Sequence, residues 1–259
     1  MKVLKYPMES QDQQLNANSA KQEQVIFTLE DALSAIKKHG IAGITNRIIC
    51  SDCLEVMKGI PDKAYDLAIV DPPYFSGPDK LGYFGAEYTK TKVKRQNYKI
   101  LRNWTVPTQE YFDELLRVSK NQIIWGFNYF KIMNIGSGRI IWDKKNDDST
   151  FSKCEIAYDS QHDSVAIVRI AWNGFIQENM KDKEIKFHPT QKPVQLYKWL
   201  LRNYAKEGNK ILDTHLGSGS IAIACHDLKF DLTACEIDKE YNQMAVNRLE
   251  NHKKQGRLF

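Results

Sequence analysis

From residue 27 onward the chain alternates between two kinds of apolar pattern. One kind is a short continuous run closed by an acid, a glycine or a proline: 47–50 (Arg-Ile-Ile-Cys), 65–70 (Tyr-Asp-Leu-Ala-Ile-Val), 122–126 (Gln-Ile-Ile-Trp-Gly), 139–143 (Arg-Ile-Ile-Trp-Asp), 210–213 (Lys-Ile-Leu-Asp) and 232–235. Runs of this length, rich in Ile and Val, are buried strands. The other kind has apolar residues at helical spacing, as in Leu29/Leu33/Ile36, Phe112/Leu115/Leu116, Val194/Tyr197/Leu201/Tyr204, Ile221/Ala224/Leu228 and Tyr241/Met244/Ala245/Leu249. These predict helices at 29–39, 107–118, 194–204, 221–228 and 239–250, with Thr28 as an N-cap and Gly40 as a stop for the first. A further short helix is expected from Leu54, and strands at 155–159 and along the alternating run 164–172. Strands interleaved with helices in this order predict an α/β protein.

A chain of 259 residues is long enough for one large domain with an ample core. Residues 1–24, rich in Gln, Asn, Ser and Lys, read as a flexible N-terminal tail, and 25–259 as a single domain. No apolar run reaches the length of a membrane span and the N-terminus lacks an apolar signal region, so a cytoplasmic protein is expected, with no membrane partner. The five cysteines are scattered and fit reduced thiols; Cys50-x-x-Cys53 has no second pair, so no metal is expected. The net charge of +5 and pI of about 8.8 favour a polyanionic partner only mildly.

Two strand ends carry the chemistry. The run 65–70 stops at Asp71, and Pro72 and Pro73 then forbid a continued strand and an immediate helix. A carboxylate, a stiff backbone and the ring of Tyr74 are thus held where open α/β sheets place ligands. The second centre is 209–238: a strand ending at Asp213, the glycine loop Thr214-His-Leu-Gly-Ser-Gly-Ser220, a helix, and a strand reaching Glu236-Ile-Asp238. Strand, loop, helix, strand and acid in that order place Glu236 to take two ribose hydroxyls. The loop lacks G-x-G-x-x-G, which counts against a dinucleotide.

Asp71-Pro72-Pro73-Tyr74 resembles the catalytic motif of the amino-methyltransferases that act on adenine N6 or cytosine N4 in nucleic acid. With the glycine loop lying after it in the chain, the whole is similar to the β-group of DNA adenine-N6 methyltransferases over roughly residues 45–250. The resemblance implies a doubly wound, mostly parallel sheet of Rossmann-like methyltransferase fold, S-adenosyl-L-methionine as methyl donor, and a base flipped out of double-stranded DNA as acceptor. It places Asp71 and the Pro72 carbonyl on the acceptor amine and Tyr74 under the base, with Pro73 stiffening the turn. In the donor site it puts Asp213, Gly217, Ser218, Gly219, Glu236 and Asp238, with Asp52 near the donor's adenine. Asp52 read by itself is a helix cap. His188-Pro-Thr-Gln-Lys-Pro193 looks like the element that brings Thr190 and Lys192 to the donor's carboxylate end, and His188 reads as structural. Where the family has Asp-Pro-Phe-x-Gly-Ser-Gly, this chain has Thr214 and His215, leaving the contact of that Phe to His215 or Leu216.

The chemistry asks for these residue types on its own account. An exocyclic amine is a poor nucleophile because its lone pair is delocalised into the ring. Accepting its N–H groups at a carboxylate and a carbonyl localises that pair, and the carboxylate offsets the positive charge that develops on nitrogen. An aromatic face then holds an extruded base by stacking.

Residues 76–105 form a basic insertion: Lys80, Lys90, Lys92, Lys94, Arg95, Lys99 and Arg102 stand against Asp79 and Glu87, interleaved with aromatic rings. Directly after the catalytic turn, this pattern suits a loop that neutralises phosphate and closes over the base, with Phe75, Lys90, Lys92, Lys94, Arg95 and Lys99 as DNA contacts. Residues 144–187 leave room for only a small recognition region, where Lys144, Lys145, Asn146 and Lys153 read as a polar surface loop. A recognition region of this size leaves a homodimer open. Cytosine N4, RNA adenine, and a DNA-binding subunit with a silent site are the alternative readings.

Overall fold

The computed structural model describes residues 26–74, 105–131, 135–147, 152–173 and 176–255. Strand β1 (Phe27–Thr28) runs straight into helix α1 (Leu29–His39). Thr28 caps it: its hydroxyl accepts from Asp31 N at 3.3 Å, and the Asp31 carboxylate accepts from Thr28 N at 2.9 Å. Strand β2 (Arg47–Cys50) leads to α2 (Cys53–Lys58), which starts one residue before the expected Leu54 because Asp52 is its cap. Then come β3 (Tyr65–Val70), α3 (Gln109–Val118), β4 (Ser119–Trp125), β5 (Arg139–Asp143), β6 (Cys154–Asp159) and β7 (Val165–Arg169). A hairpin of β8 (Trp172–Asn173) and β9 (Ile176–Gln177) precedes α4 (Val194–Tyr204), β10 (Lys210–Asp213), α5 (Ser220–Leu228), β11 (Asp231–Cys235) and α6 (Lys239–Gln255).

Among the described residues nine strands make one sheet in the order β1-β2-β11-β10-β3-β4-β6-β5-β7. Every pair from β1 to β4 is parallel; β6 is reversed between β4 and β5, and β7 again runs parallel to β5. The alternating run expected over 164–172 is divided. Ile170 N bonds back to Asp143 O at 3.1 Å, and the Trp172 indole then donates to Gln191 O at 2.8 Å, drawing the chain off the sheet edge.

Alternation along the strands feeds two cores. Leu67, Ile69, Ile123, Trp125, Ile211 and Ala234 pack under α4, α5 and α6; Ala68, Val70, Ile124, Leu212 and Cys235 pack under α1, α2 and α3. Burying rows of Ile, Leu and Trp on both faces is what makes the sheet central.

β3 and β10, distant in sequence, are hydrogen-bonded neighbours, with Leu67 opposite Ile211 and Ala68 opposite Leu212. From β3 the chain proceeds to β4 on one side, and from β10 to β11 on the other. Such a switch point opens a crevice at the strand ends. Asp71 and Asp213 both stand at its mouth.

Candidate active site

Asp71 follows the last residue of β3, and Pro72 and Pro73 carry the chain off the sheet. One of its oxygens, Oδ2, accepts from the ammonium of Lys192; the other, Oδ1, is buried and accepts no hydrogen bond among the described residues. Lys192 is only 4% exposed and also pairs with Glu155 Oε2 at 2.9 Å, while Glu155 Oε1 pairs with Lys144 at 2.5 Å. Burial raises the proton affinity of Asp71, and Lys192 works against it. Burial also pushes Glu155 up, but Lys192 and Lys144 outweigh it and hold that carboxyl low.

Tyr74 lies face to face with Tyr129, ring centres 4.6 Å apart and planes 10° from parallel. Tyr129 belongs to the short 3-10 turn Phe127–Tyr129 after β4. Gly126 opens that turn with φ +65°, and a Cβ there would overlap the Tyr74 ring.

At the end of β10, Asp213 is 2% exposed, and its Oδ1 accepts from His215 N at 3.0 Å. Burial pushes its pKa up to about 8. The Thr214 hydroxyl bonds Tyr111 at 2.6 Å and His215 Nδ1 at 2.9 Å, fixing the loop from α3. Gly217, at φ +52°, passes beneath the His188 ring so closely that a Cβ would lie 3.3 Å from it. Gly217 N donates to Glu236 Oε2 at 2.8 Å and Asp238 N to Glu236 Oε1 at 2.9 Å, so the loop and the end of β11 share one carboxylate. From α6, Arg248 donates to Ser218 O and Ser220 Oγ, each at 2.9 Å, and to Glu184 at 2.7 Å. Burial lowers His188 to about 3 and His215 to about 4, so both rings are neutral walls.

These segments enclose a cavity of about 810 Å³ that reaches from Asp71 and Pro73 to Ser51, Asp52, Gly217 and Asp238. That volume accommodates a nucleoside-sized molecule together with a second group. Its described walls carry four carboxylates (Asp52, Asp71, Glu236, Asp238) against one lysine, Lys192, whose charge is already matched. The excess of acid fits a cationic guest.

Comparison with known proteins agrees with this arrangement. The model of a family described as DNA methylase, of N6 and N4 type, matches residues 139–247, the stretch that holds the glycine loop and Lys192. The chain is similar to Type II methyltransferase M.HpaI of Haemophilus parainfluenzae, with 24% identity over 238 residues, 79% of this chain and 74% of that protein. Type II methyltransferase M.HinfI of Haemophilus influenzae is 24% identical over 259 residues, covering 83% and 71%. Among solved structures, the PvuII DNA methyltransferase (cytosine-N4-specific) shares the fold, with a TM-score of 0.50 at 11% identity over 80% of this chain and 89% of that one. The methyltransferase fold is therefore the one expected.

The cavity gathers Asp52, Asp71, Pro73, Thr190, Lys192, His215, Gly217, Ser218, Glu236 and Asp238; Asp213 and Gly219 support it within the glycine loop, and Pro72 and Tyr74 flank it. Phe75, Lys90, Lys92, Lys94, Arg95 and Lys99 lie outside the described residues, as do residues 1–24. Two placements differ from expectation. Lys192, assigned by resemblance to the donor's carboxylate end, has its ammonium on Asp71 and Glu155. The surface loop expected at 144–153 is partly interior: Asn146 is buried, and Lys144 and Lys145 are paired with Glu155 and Glu178. Tyr111, Tyr129, Glu155 and Arg248 were not singled out in the sequence. Only Glu155 left a trace there, an acid in the strand expected over 155–159.

Proposed function

We propose that the protein transfers a methyl group from S-adenosylmethionine to the N6 amine of an adenine flipped out of double-stranded DNA, at a specific sequence. One observation carries the reading: Asp71 lines an acid-lined cavity and keeps one buried carboxylate oxygen, Oδ1, that accepts no hydrogen bond among the described residues. When bound, S-adenosylmethionine supplies an electrophilic methyl on a sulfonium, and the surplus of carboxylates suits its positive charges. Glu236 and Asp52 hold its ribose and adenine, Gly217 lets it approach the main chain, and the neutral rings of His188 and His215 exclude water.

At the other end Asp71 Oδ1 accepts one amine N–H and the Pro72 carbonyl the second, which turns the nitrogen lone pair toward the methyl. Asp71 balances the charge that grows on nitrogen and takes up the surplus proton. The face of Tyr74 holds the base. An Asp at the first motif position favours adenine, whereas the PvuII relative is named cytosine-N4-specific; cytosine N4 is the second reading. The basic insertion 76–105 is assigned the phosphate contacts, 144–187 the small recognition region, and a second subunit is a further source of DNA contacts.

Incubating unmodified duplex DNA with the enzyme and labelled S-adenosylmethionine, then digesting to nucleosides for mass spectrometry, tests the assignment. N6-methyldeoxyadenosine is expected. N4-methyldeoxycytidine would select the second reading, and label in neither would overturn both.

A further inference from the structure

The reversal of β6 has a chemical result. Because β6 runs antiparallel to β4, with Trp125 opposite Ala157, the start of β6 lies level with the ends of the parallel strands. Glu155 is thereby brought to the rim that carries Asp71. It closes a row of alternating charges: Asp71, Lys192, Glu155, Lys144. All four side chains are at most 20% exposed, and the Lys192 ammonium lies 5.5 Å from the Trp125 ring centre.

We infer that Glu155 and Lys144 are positioning residues for Asp71, acting through Lys192 to fix its carboxylate and to set how strongly it accepts. The inference rests on the amine-holding role of Asp71 proposed above. Lys192 donates to Oδ2 and so leaves Oδ1 as the oxygen for the amine. Were Lys192 to serve Asp71 alone, the pair would be tight and Asp71 a weak acceptor. Glu155 draws the ammonium away, and Lys144 limits how far. A buried ion row contributes little net stability compared with apolar packing, so a structural purpose does not account for it. It also ends at the one oxygen of the row without a partner. The remaining groups that face Asp71 are Tyr74 on its own turn, Asp213 on β10 and Tyr197 on α4. Of these only Asp213, which burial lifts to about 8, titrates near neutrality, and it is unchanged in the variants below.

The two neighbours act in opposite senses, which makes the test decisive. In Glu155→Gln, Lys192 turns wholly to Asp71, and the acid limb of kcat moves to lower pH by about half a unit or more. In Lys144→Met, the freed Glu155 competes harder for Lys192, and the limb moves to higher pH by a similar amount. Donor affinity measured by calorimetry stays within about threefold in both, which also shows that the variants fold. Titration of the Asp71 carboxyl carbon by NMR, wild type against each variant, follows the same opposed shifts without any turnover. Shifts of the same sign, or none in either measurement, would overturn the inference. Failure of wild-type enzyme to methylate DNA would instead strike the proposed function, leaving the NMR titration to decide here.

Discussion

Two carboxylates stand side by side at the ends of β3 and β10, and they are kept differently. Asp71 has a buried lysine against one oxygen and, among the described residues, nothing on the other. Asp213 has no ion pair among the described residues: a single backbone N–H, from His215, is its hydrogen-bond partner there, and burial lifts its pKa to about 8. The first is a charge already balanced and an acceptor site left open, as a neutral amine requires. The second is a carboxyl that burial keeps largely protonated near neutrality, and that the positive groups of a methyl donor can draw into its charged form. Neighbouring positions in one sheet are thus specialised by what the loops bring to them.

Removing Asp71 tests the comparison most severely. Asp71→Ala is expected to cut turnover by about 10³-fold while donor affinity stays within about threefold. Unchanged turnover in a methylation assay would end the assigned role. Asp213→Asn should do the reverse, weakening the donor by about 30-fold in calorimetry, roughly 2 kcal/mol of lost charge attraction. That variant should also be more heat-stable at pH 8. A carboxyl whose folded pKa is raised contributes fully below its unfolded value near 3.8, and that contribution is lost as pH rises through about 8. The amide escapes this loss, and a Tm gain of about 2–4 °C is expected at this chain length.

A gentler probe is pH alone. Wild-type donor affinity should rise with pH until about 8 and then level, with protons released on binding below that point. Calorimetry in buffers of different ionisation enthalpy reads those protons, and Asp213→Asn should abolish them. The smallest effect is expected at Tyr129, whose ring covers one face of Tyr74, the residue assigned to the base. Tyr129→Ala should lower KM for DNA by about fivefold, the equivalent of roughly 1 kcal/mol of stacking no longer displaced. A raised KM would mean that the two rings grip the base between them.

Much of this was readable from residue order because burial and backbone chemistry act locally. Apolar runs ended by Asp71 and Asp213 could only be interior strands, and Gly40 and Thr28 marked the ends of α1. Where tertiary partners decide, the pattern fell short. β4 begins at Ser119 rather than 122, since Ser119 pairs with Tyr65 while its hydroxyl donates back to Leu115 O. α6 continues to Gln255, past the expected 250, with Lys253 paired to Glu250. In the site, local motifs disclosed both carboxylates and the glycine loop. They did not disclose Glu155, whose place depends on the reversal of β6, nor the path of Lys192, a long side chain free to reach either half of the cavity. Tyr111 is a core residue of α3, yet its hydroxyl also steadies Thr214.

The pairing of Leu67 with Ile211 bears on how the molecule is made. During synthesis β3 emerges long before β10, and one edge of a nearly all-apolar strand must wait for its neighbour. Long-range pairing of this kind is slow to form, so the ligand crevice should be among the last parts to mature. A ribosome-bound chain halted ahead of residue 210 would present that bare edge to chaperones, and the ability to bind a methyl donor would arrive only once β10 and β11 have emerged and paired.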